Sequence, residues 1–190
     1  LQLAISKNHQ PTIDLLLKNG ADPSYQGPQG SALYMAIESG NTALVQKLLE
    51  YSADPNSSGP GGQVLHAAIA RGQVSSVQQL LKYGANANTG SRQGTPIQMA
   101  IRAKSAPIVS LLTAAGASTN VSDGIGETLL HKAAAQGLLD VVKSLVEGGA
   151  NIEAVDKFEE TPLHEAAAKG QLSVVQYLIA KGANKNALDS

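Results

Sequence analysis

Thr161-Pro162-Leu163-His164, closed 18 residues later by Gly182-Ala183-Asn184, is the stretch on which the fold turns. The closing tripeptide has five earlier forms: Gly20-Ala21-Asp22, Ser52-Ala53-Asp54, Gly84-Ala85-Asn86, Gly116-Ala117-Ser118 and Gly149-Ala150-Asn151. Their alanines are spaced 32, 32, 32, 33 and 33. The opening residue also returns, as Ser31, Gln63, Thr95 and Thr128, always 22 residues before the Ala that follows. From each Ala to the next opening residue the count is 10, 10, 10, 11 and 11. All variation in length therefore sits in one segment. A fixed stretch beside a variable one reads as a packed unit joined by a surface connection.

The fixed segment reads as two short antiparallel helices. Leu129 to Gln136 is a first helix, Gly137 a break, and Leu139 to Glu147 a second. Leu138, Val141, Val142, Leu145 and Val146 recur at the i, i+3, i+4 spacing of one buried face. Thr128 stands where an N-cap is wanted, and Pro162 at a first helical position. Gly40, Gly72, Gly137 and Gly170 align between the helices, where a left-handed residue is needed; Asn8 and Lys104 take that place in two pairs. Those same two pairs carry Pro11 and Pro107, which suit the start of a second helix. Helices this short are unstable alone, so stacking on neighbours must supply the burial.

At this point the chain resembles an ankyrin-repeat array. The family's Thr-Pro-Leu-His signature stands intact at 161–164 and recognisably as Thr128-Leu129-Leu130-His131 and Thr95-Pro96-Ile97-Gln98. It is weaker as Gln63-Val64-Leu65-His66 and Ser31-Ala32-Leu33-Tyr34. The resemblance implies an all-α solenoid of helix pairs joined by β-hairpin loops. It divides the chain into a partial first repeat (1–25), five further repeats (26–57, 58–89, 90–122, 123–155 and 156–188) and a seventh opening at 189–190. Three hairpins are a residue short and Gly-rich, and lack the turn Asp found at Asp123 and Asp156. In the sixth repeat Glu159 replaces the usual Gly. Leu1 to Ile5 align with the interior of a first helix, and the sixth repeat keeps its apolar set, so the expectation is a longer parent array.

Composition narrows the function. There are no cysteines, which removes disulfides, thiol catalysis and a Cys zinc site. Net charge is −1, and aromatics are five Tyr and one Phe, a poor basis for nucleic-acid or membrane-surface binding. No apolar run approaches the roughly 20 residues that span a bilayer. The expectation is a cytoplasmic or nuclear monomer. His66, His131 and His164 occupy the signature position, where the resemblance implies a structural hydrogen bond between repeats rather than catalysis. No cofactor, metal site or catalytic residue is expected.

Charge is unevenly spread. Residues 57–122 hold no acid but carry Arg71, Lys82, Arg92, Arg102 and Lys104, flanked by acidic segments. The resemblance places the partner-binding surface on hairpin tips and the exposed side of first helices. Mapped so, the candidates are Tyr25, Pro28, Met35, Glu38, Arg71, Arg92, Met99, Arg102, Ile125, Lys132, Phe158 and Glu165. The three arginines are expected on one patch, suited to a protein or peptide with an acidic or phosphorylated segment. The leading reading is a protein-interaction scaffold. The alternative is an internal regulatory module of a larger enzyme, channel or signalling receptor.

Overall fold

A computed structural model describes residues 1–188, so Asp189, expected to open a further repeat, lies outside the described residues. Twelve helices are described, and they alternate seven-residue or shorter first helices with nine-residue second helices. In chain order they are α1 (Gln2–Ser6), α2 (Gln10–Lys18), α3 (Ala32–Glu38), α4 (Thr42–Glu50), α5 (Val64–Ala70), α6 (Val74–Lys82), α7 (Pro96–Arg102), α8 (Ala106–Ala114), α9 (Leu129–Ala135), α10 (Leu139–Glu147), α11 (Pro162–Ala168) and α12 (Leu172–Ala180). Contacts divide the chain into two compact units, residues 1–99 and 100–190, with α7 crossing the division.

Within the first unit α1 packs on α3 and α3 on α5, while α4 packs on α6. The second unit repeats the scheme, α9 on α11 and α8 on α10, with α10 in turn against α12. Burial follows from this. Leu33, Ile37, Leu48 and Leu65 are almost wholly enclosed in the first unit, as are Ile108, Leu112 and Leu130 in the second. Each such side chain gains about 1.5–3 kcal/mol on leaving water. Gln73 Nε2 donates to the Ile37 carbonyl at 2.8 Å, and Gln171 Nε2 to the Ala135 carbonyl at 3.0 Å. Each ties a second helix to the first helix of the preceding pair. Among the described residues no helix is long and apolar enough to cross a membrane.

The recurring tripeptide is a helix terminator. Its first residue is left-handed, with φ of 82° at Gly20, 92° at Gly84 and 65° at Ser52. The Ala amide then reaches back five residues, Ala53 to the Leu48 carbonyl and Ala85 to the Leu80 carbonyl, both at 2.9 Å. That closes the Schellman geometry and satisfies carbonyls the helix end leaves open. The third residue folds the chain into the hairpin: Asp54 Oδ1 accepts from Asn56 N at 2.9 Å, and Asn151 Oδ1 from Glu153 N at 3.0 Å. Between helices, Asn8 (φ 51°) and Lys104 (φ 53°) adopt the left-handed conformation of the glycines they replace.

The hairpins come in two kinds. Two of the three short Gly-rich ones form ladders, β1 (Gln26–Gly27) with β2 (Gly30–Ser31) and β3 (Ser58–Gly59) with β4 (Gly62–Gln63), and the third closes a single bridge between Ser91 and Gly94. Pro28 and Pro60 preset the first corner of the two ladder turns. The longer ones are gathered instead by a carboxylate. Asp123 Oδ1 accepts from the Ile125 and Glu127 amides at 3.0 and 3.2 Å, and Asp156 Oδ1 from the Phe158 and Glu160 amides at 2.8 and 3.0 Å. The glycines that looked like departures thus build the more regular hairpins.

Tyr34 explains the glycines' placement. It stands at the signature histidine position, and its hydroxyl accepts from the Gly61 amide at 3.0 Å across the neighbouring hairpin. A Cβ on Gly59 would lie 2.3 Å from the Tyr34 ring, and one on Gly30 would lie 2.5 Å from the Gly59 Cα. Gly30 is also left-handed, with φ of 91°. Gly30→Ala is therefore expected to cost about 2 kcal/mol or more, read as a lowered urea midpoint with unchanged slope. Glu159, left-handed at φ 60° without being glycine, predicts the reverse. Glu159→Gly should raise stability by about 0.5–1 kcal/mol in the same measurement.

Candidate interaction surface

The three signature histidines do not behave alike. His131 accepts from the Thr128 amide at Nδ1 (3.1 Å) and bonds the Glu160 carbonyl through Nε2 (2.9 Å). His164 repeats this with Thr161 (3.0 Å) and the Ala187 carbonyl (2.9 Å). The accepting Nδ1 leaves the proton on Nε2, where it donates to the next hairpin. Here the expected bond between repeats is present. His66 makes a looser version of this contact: it is 5% exposed, and neither ring nitrogen closes a hydrogen bond of normal geometry. Gln63, which replaces the capping Thr, makes no side-chain cap bond, and the following hairpin is one residue shorter than the one His131 meets. The backbone of Thr89 and Gly94 lies alongside the ring, partly offsetting the burial that pushes its pKa down, but outside hydrogen-bonding geometry. His9, outside the signature, is exposed and caps α2, pairing with the Thr12 hydroxyl at 2.6 Å.

Of the candidate contact residues, Tyr25, Ile125 and Phe158 are exposed on hairpins, at 63%, 43% and 55%. Pro28 is exposed at its hairpin tip. In the second unit the Lys157 amide donates to the Ile125 carbonyl at 3.0 Å, which sets the Ile125 tip beside the one carrying Phe158. Met35 and Met99 are corrections, for both side chains are buried. Residues 32–37 of α3 are enclosed throughout, because a helix this short has neighbours on several sides, and an unbranched thioether folds into the remaining gap. Met35 keeps a sliver of surface on the floor of a shallow cleft of about 300 Å3 with Tyr34 and Glu38. Glu165 is half-buried near the start of α11.

The charged candidates are partly paired. Arg71, at the end of α5, grips Glu38 of α3 with Nε (3.0 Å) and a terminal nitrogen (2.5 Å). The Glu38 hydrogen bond holds the Arg71 guanidinium still further above its ordinary pKa. Lys132 of α9 binds Asp123 at 2.5 Å, and that bond is the main reason the Asp123 carboxyl is held below the usual range. Arg92 lies on a hairpin tip beside His66, and Arg102 is exposed at the end of α7. Arg71 is thus engaged by Glu38 rather than free to complete a basic patch.

A second set of bonds had no counterpart in the sequence reading. Asn56 Oδ1 accepts from the Asn86 amide at 2.8 Å, and Asn120 Oδ1 from the Asn151 amide at 2.8 Å. Ser24 and Glu153 do the same for Asp54 and Asn184. These side chains stand at equivalent positions, three residues past each recurring Ala, and stitch successive hairpins. Only the repeat register could have exposed them, since Asn, Ser and Glu differ as residue types.

Among the described residues no group of three His, Asp or Glu side chains is placed to hold a metal. Stacked helix pairs with projecting hairpins, bridged by a capping Thr–His unit, define a helical repeat protein. A family model described as Ankyrin repeats (3 copies) matches residues 1–59, 33–123 and 97–189, and the chain belongs to that family. Ankyrin repeats are generally protein–protein interaction modules and typically lack catalysis. No curated protein matches the chain.

The contrast between the histidines is measurable. His131→Leu leaves the Thr128 amide and Glu160 carbonyl unpaired and should cost about 1–3 kcal/mol, whereas His66→Leu loses no bond and should cost less. Burial lowers the folded-state pKa of His66, so its neutral ring contributes fully above the unfolded value of about 6.5. That contribution is lost as pH falls from there towards the folded value. Urea midpoints should therefore fall as pH drops below about 6.5, and fall less in His66→Leu.

Proposed function

We propose that the chain is a partner-binding module with no catalysis of its own, acting as an intracellular monomer, cytoplasmic or nuclear. It holds a protein or peptide segment along its hairpin tips and the exposed ends of its first helices. The observation that carries this reading is the exposure of Tyr25, Ile125 and Phe158 on short loops held by their own hydrogen bonds. Apolar side chains on rigid loops lose little conformational entropy on contact, which favours them as anchors. Pro28, Glu38, Arg71, Arg92, Arg102, Lys132 and Glu165 would form the polar surroundings of such anchors, as interface rims do.

The test is a comparison of two double variants in affinity capture from lysate, both checked for unchanged thermal stability. Ile125→Ser with Phe158→Ser alters the hairpin tips. Leu172→Ser with Ile179→Ser alters equally exposed apolar residues on α12. The proposal expects a specific partner to be lost at least ten-fold by the first variant and kept by the second. Loss by the α12 variant alone would place the contact on the second helices and contradict it.

A further inference from the structure

The fifth and sixth hairpins stand apart from the three before them. Just ahead of the left-handed turn residue the earlier hairpins carry Gln29, Gly61 and Gln93, whereas the second unit carries Ile125 and Phe158. Both side chains are exposed, and their tips run backbone against backbone. Besides the bond from the Lys157 amide to the Ile125 carbonyl, a Cβ on Gly126 would lie 3.1 Å from the Asp156 Cα. Two apolar side chains on adjacent tied loops make a seat for one apolar side chain of a partner.

The charge beside this seat decides what its occupant carries. On α9, Lys132 reaches the hairpin of its own repeat, its ammonium 2.5 Å from Asp123 and 4.0 Å from Glu127. The residues in the equivalent places one repeat on are Glu165, Asp156 and Glu160, so a third carboxylate replaces the cation. Asp156 is buried and its Oδ1 is taken by two amides of its own loop, which leaves the half-buried Glu160 and Glu165. Glu159 adds another carboxylate at the tip, holding φ 60° where the other hairpins have glycine. Among the described residues Glu159, Glu160 and Glu165 make no ion pair, and neither does Lys157, the one base on this hairpin. Like charges gathered in this way repel one another, and a cation brought among them is attracted by all three.

We propose that this edge of the second unit takes a partner segment in which an apolar residue neighbours a Lys or Arg. The apolar side chain seats on Ile125 and Phe158. The cation pairs with Glu160 and Glu165, as the Lys132 ammonium pairs with Asp123 and Glu127 one repeat earlier. Glu159 draws the same charge towards the tip. The partner's charge is thus opposite in sign to the acidic segment expected from the three arginines. The inference rests on the partner-binding reading above and names the chemistry of one part of that contact.

The probe is the capped peptide Gly-Leu-Leu-Lys-Lys-Gly, titrated into the intact chain at low salt and followed by backbone amide NMR shifts. Capped Gly-Leu-Leu-Glu-Glu-Gly and Gly-Ser-Ser-Lys-Lys-Gly form the other arms. Saturable shifts should appear at residues 124–126 and 157–160 with the first peptide, and either of the others should bind about ten-fold more weakly. Glu165→Gln should weaken the first peptide about three-fold and reduce its salt dependence. Glu165→Lys gives the chain a cation of its own at the place Lys132 holds one repeat earlier. It should weaken binding about ten-fold or more while thermal stability is kept.

Equal binding of either control peptide, or saturable shifts confined to other residues, overturns the proposal. So does the lack of any saturable shift, or a Glu165→Lys chain that binds as well as the native one. A lysate partner that depends on Ile125 and Phe158 yet is captured equally by Glu165→Lys leaves the interaction reading standing, so the two failures are separable.

Discussion

Helices of seven and nine residues cannot hold themselves together in water, and everything else in this molecule answers to that limit. One hydrogen-bonded turn fixes more backbone than it repays, so each helix persists through the faces it buries on its neighbours. First helices therefore lie on first helices, and second on second, within each unit. The glutamines after the interhelical turn and the Asn, Ser and Glu bridges between hairpins are the polar side of the same arrangement. They satisfy backbone groups that short helices and open loops would otherwise expose.

The fixed 22-residue core and the variable hairpin follow from the same cause. Between capping residue and Ala, packed positions recur along both helices, so a single insertion would move all later side chains off the buried face. The hairpin has no such partner requirement and tolerates two solutions. Two ten-residue connections rely on Pro28 or Pro60 and a left-handed glycine, the third on the Ser91–Gly94 bridge, and eleven-residue ones on Asp123 or Asp156 collecting backbone amides. The shorter connection has a consequence one pair away. The well-formed bond that His131 and His164 make to the next hairpin is not closed at His66, whose enclosed ring lies alongside the Thr89 and Gly94 backbone instead.

Much of the fold was legible because the constraints recur with a period. The boundaries of α10 at Leu139–Glu147, the cap at Thr128, the Pro162 start and the left-handed Asn8 and Lys104 all follow from aligned positions. The contact surface was less legible. Met35 and Met99 sit at outward positions by repeat register, yet their flexible side chains fold back into gaps whose shape only the packed helices define. Arg71 was read as part of a basic patch, but its partner Glu38 lies 33 residues away on the preceding first helix. Pairings of that kind depend on rotamers at equivalent positions of successive pairs, and periodicity places the residues without saying that they touch.

The functional reading depends on the division of labour that stacking imposes. Surfaces used for packing are spoken for. Large apolar side chains project both from helices, as Leu172 and Ile179 do, and from the hairpin tips, and only at the tips do they sit on loops tied by their own bonds. Its foundation is the claim that no helix pair is stable without its neighbours, and far-UV circular dichroism of a synthetic peptide covering residues 26–57 tests that claim most directly. The account predicts an essentially unstructured peptide at the temperature where the intact chain is fully helical. A peptide as helical as the same residues in the intact chain would contradict it, since the pair would then owe nothing to stacking.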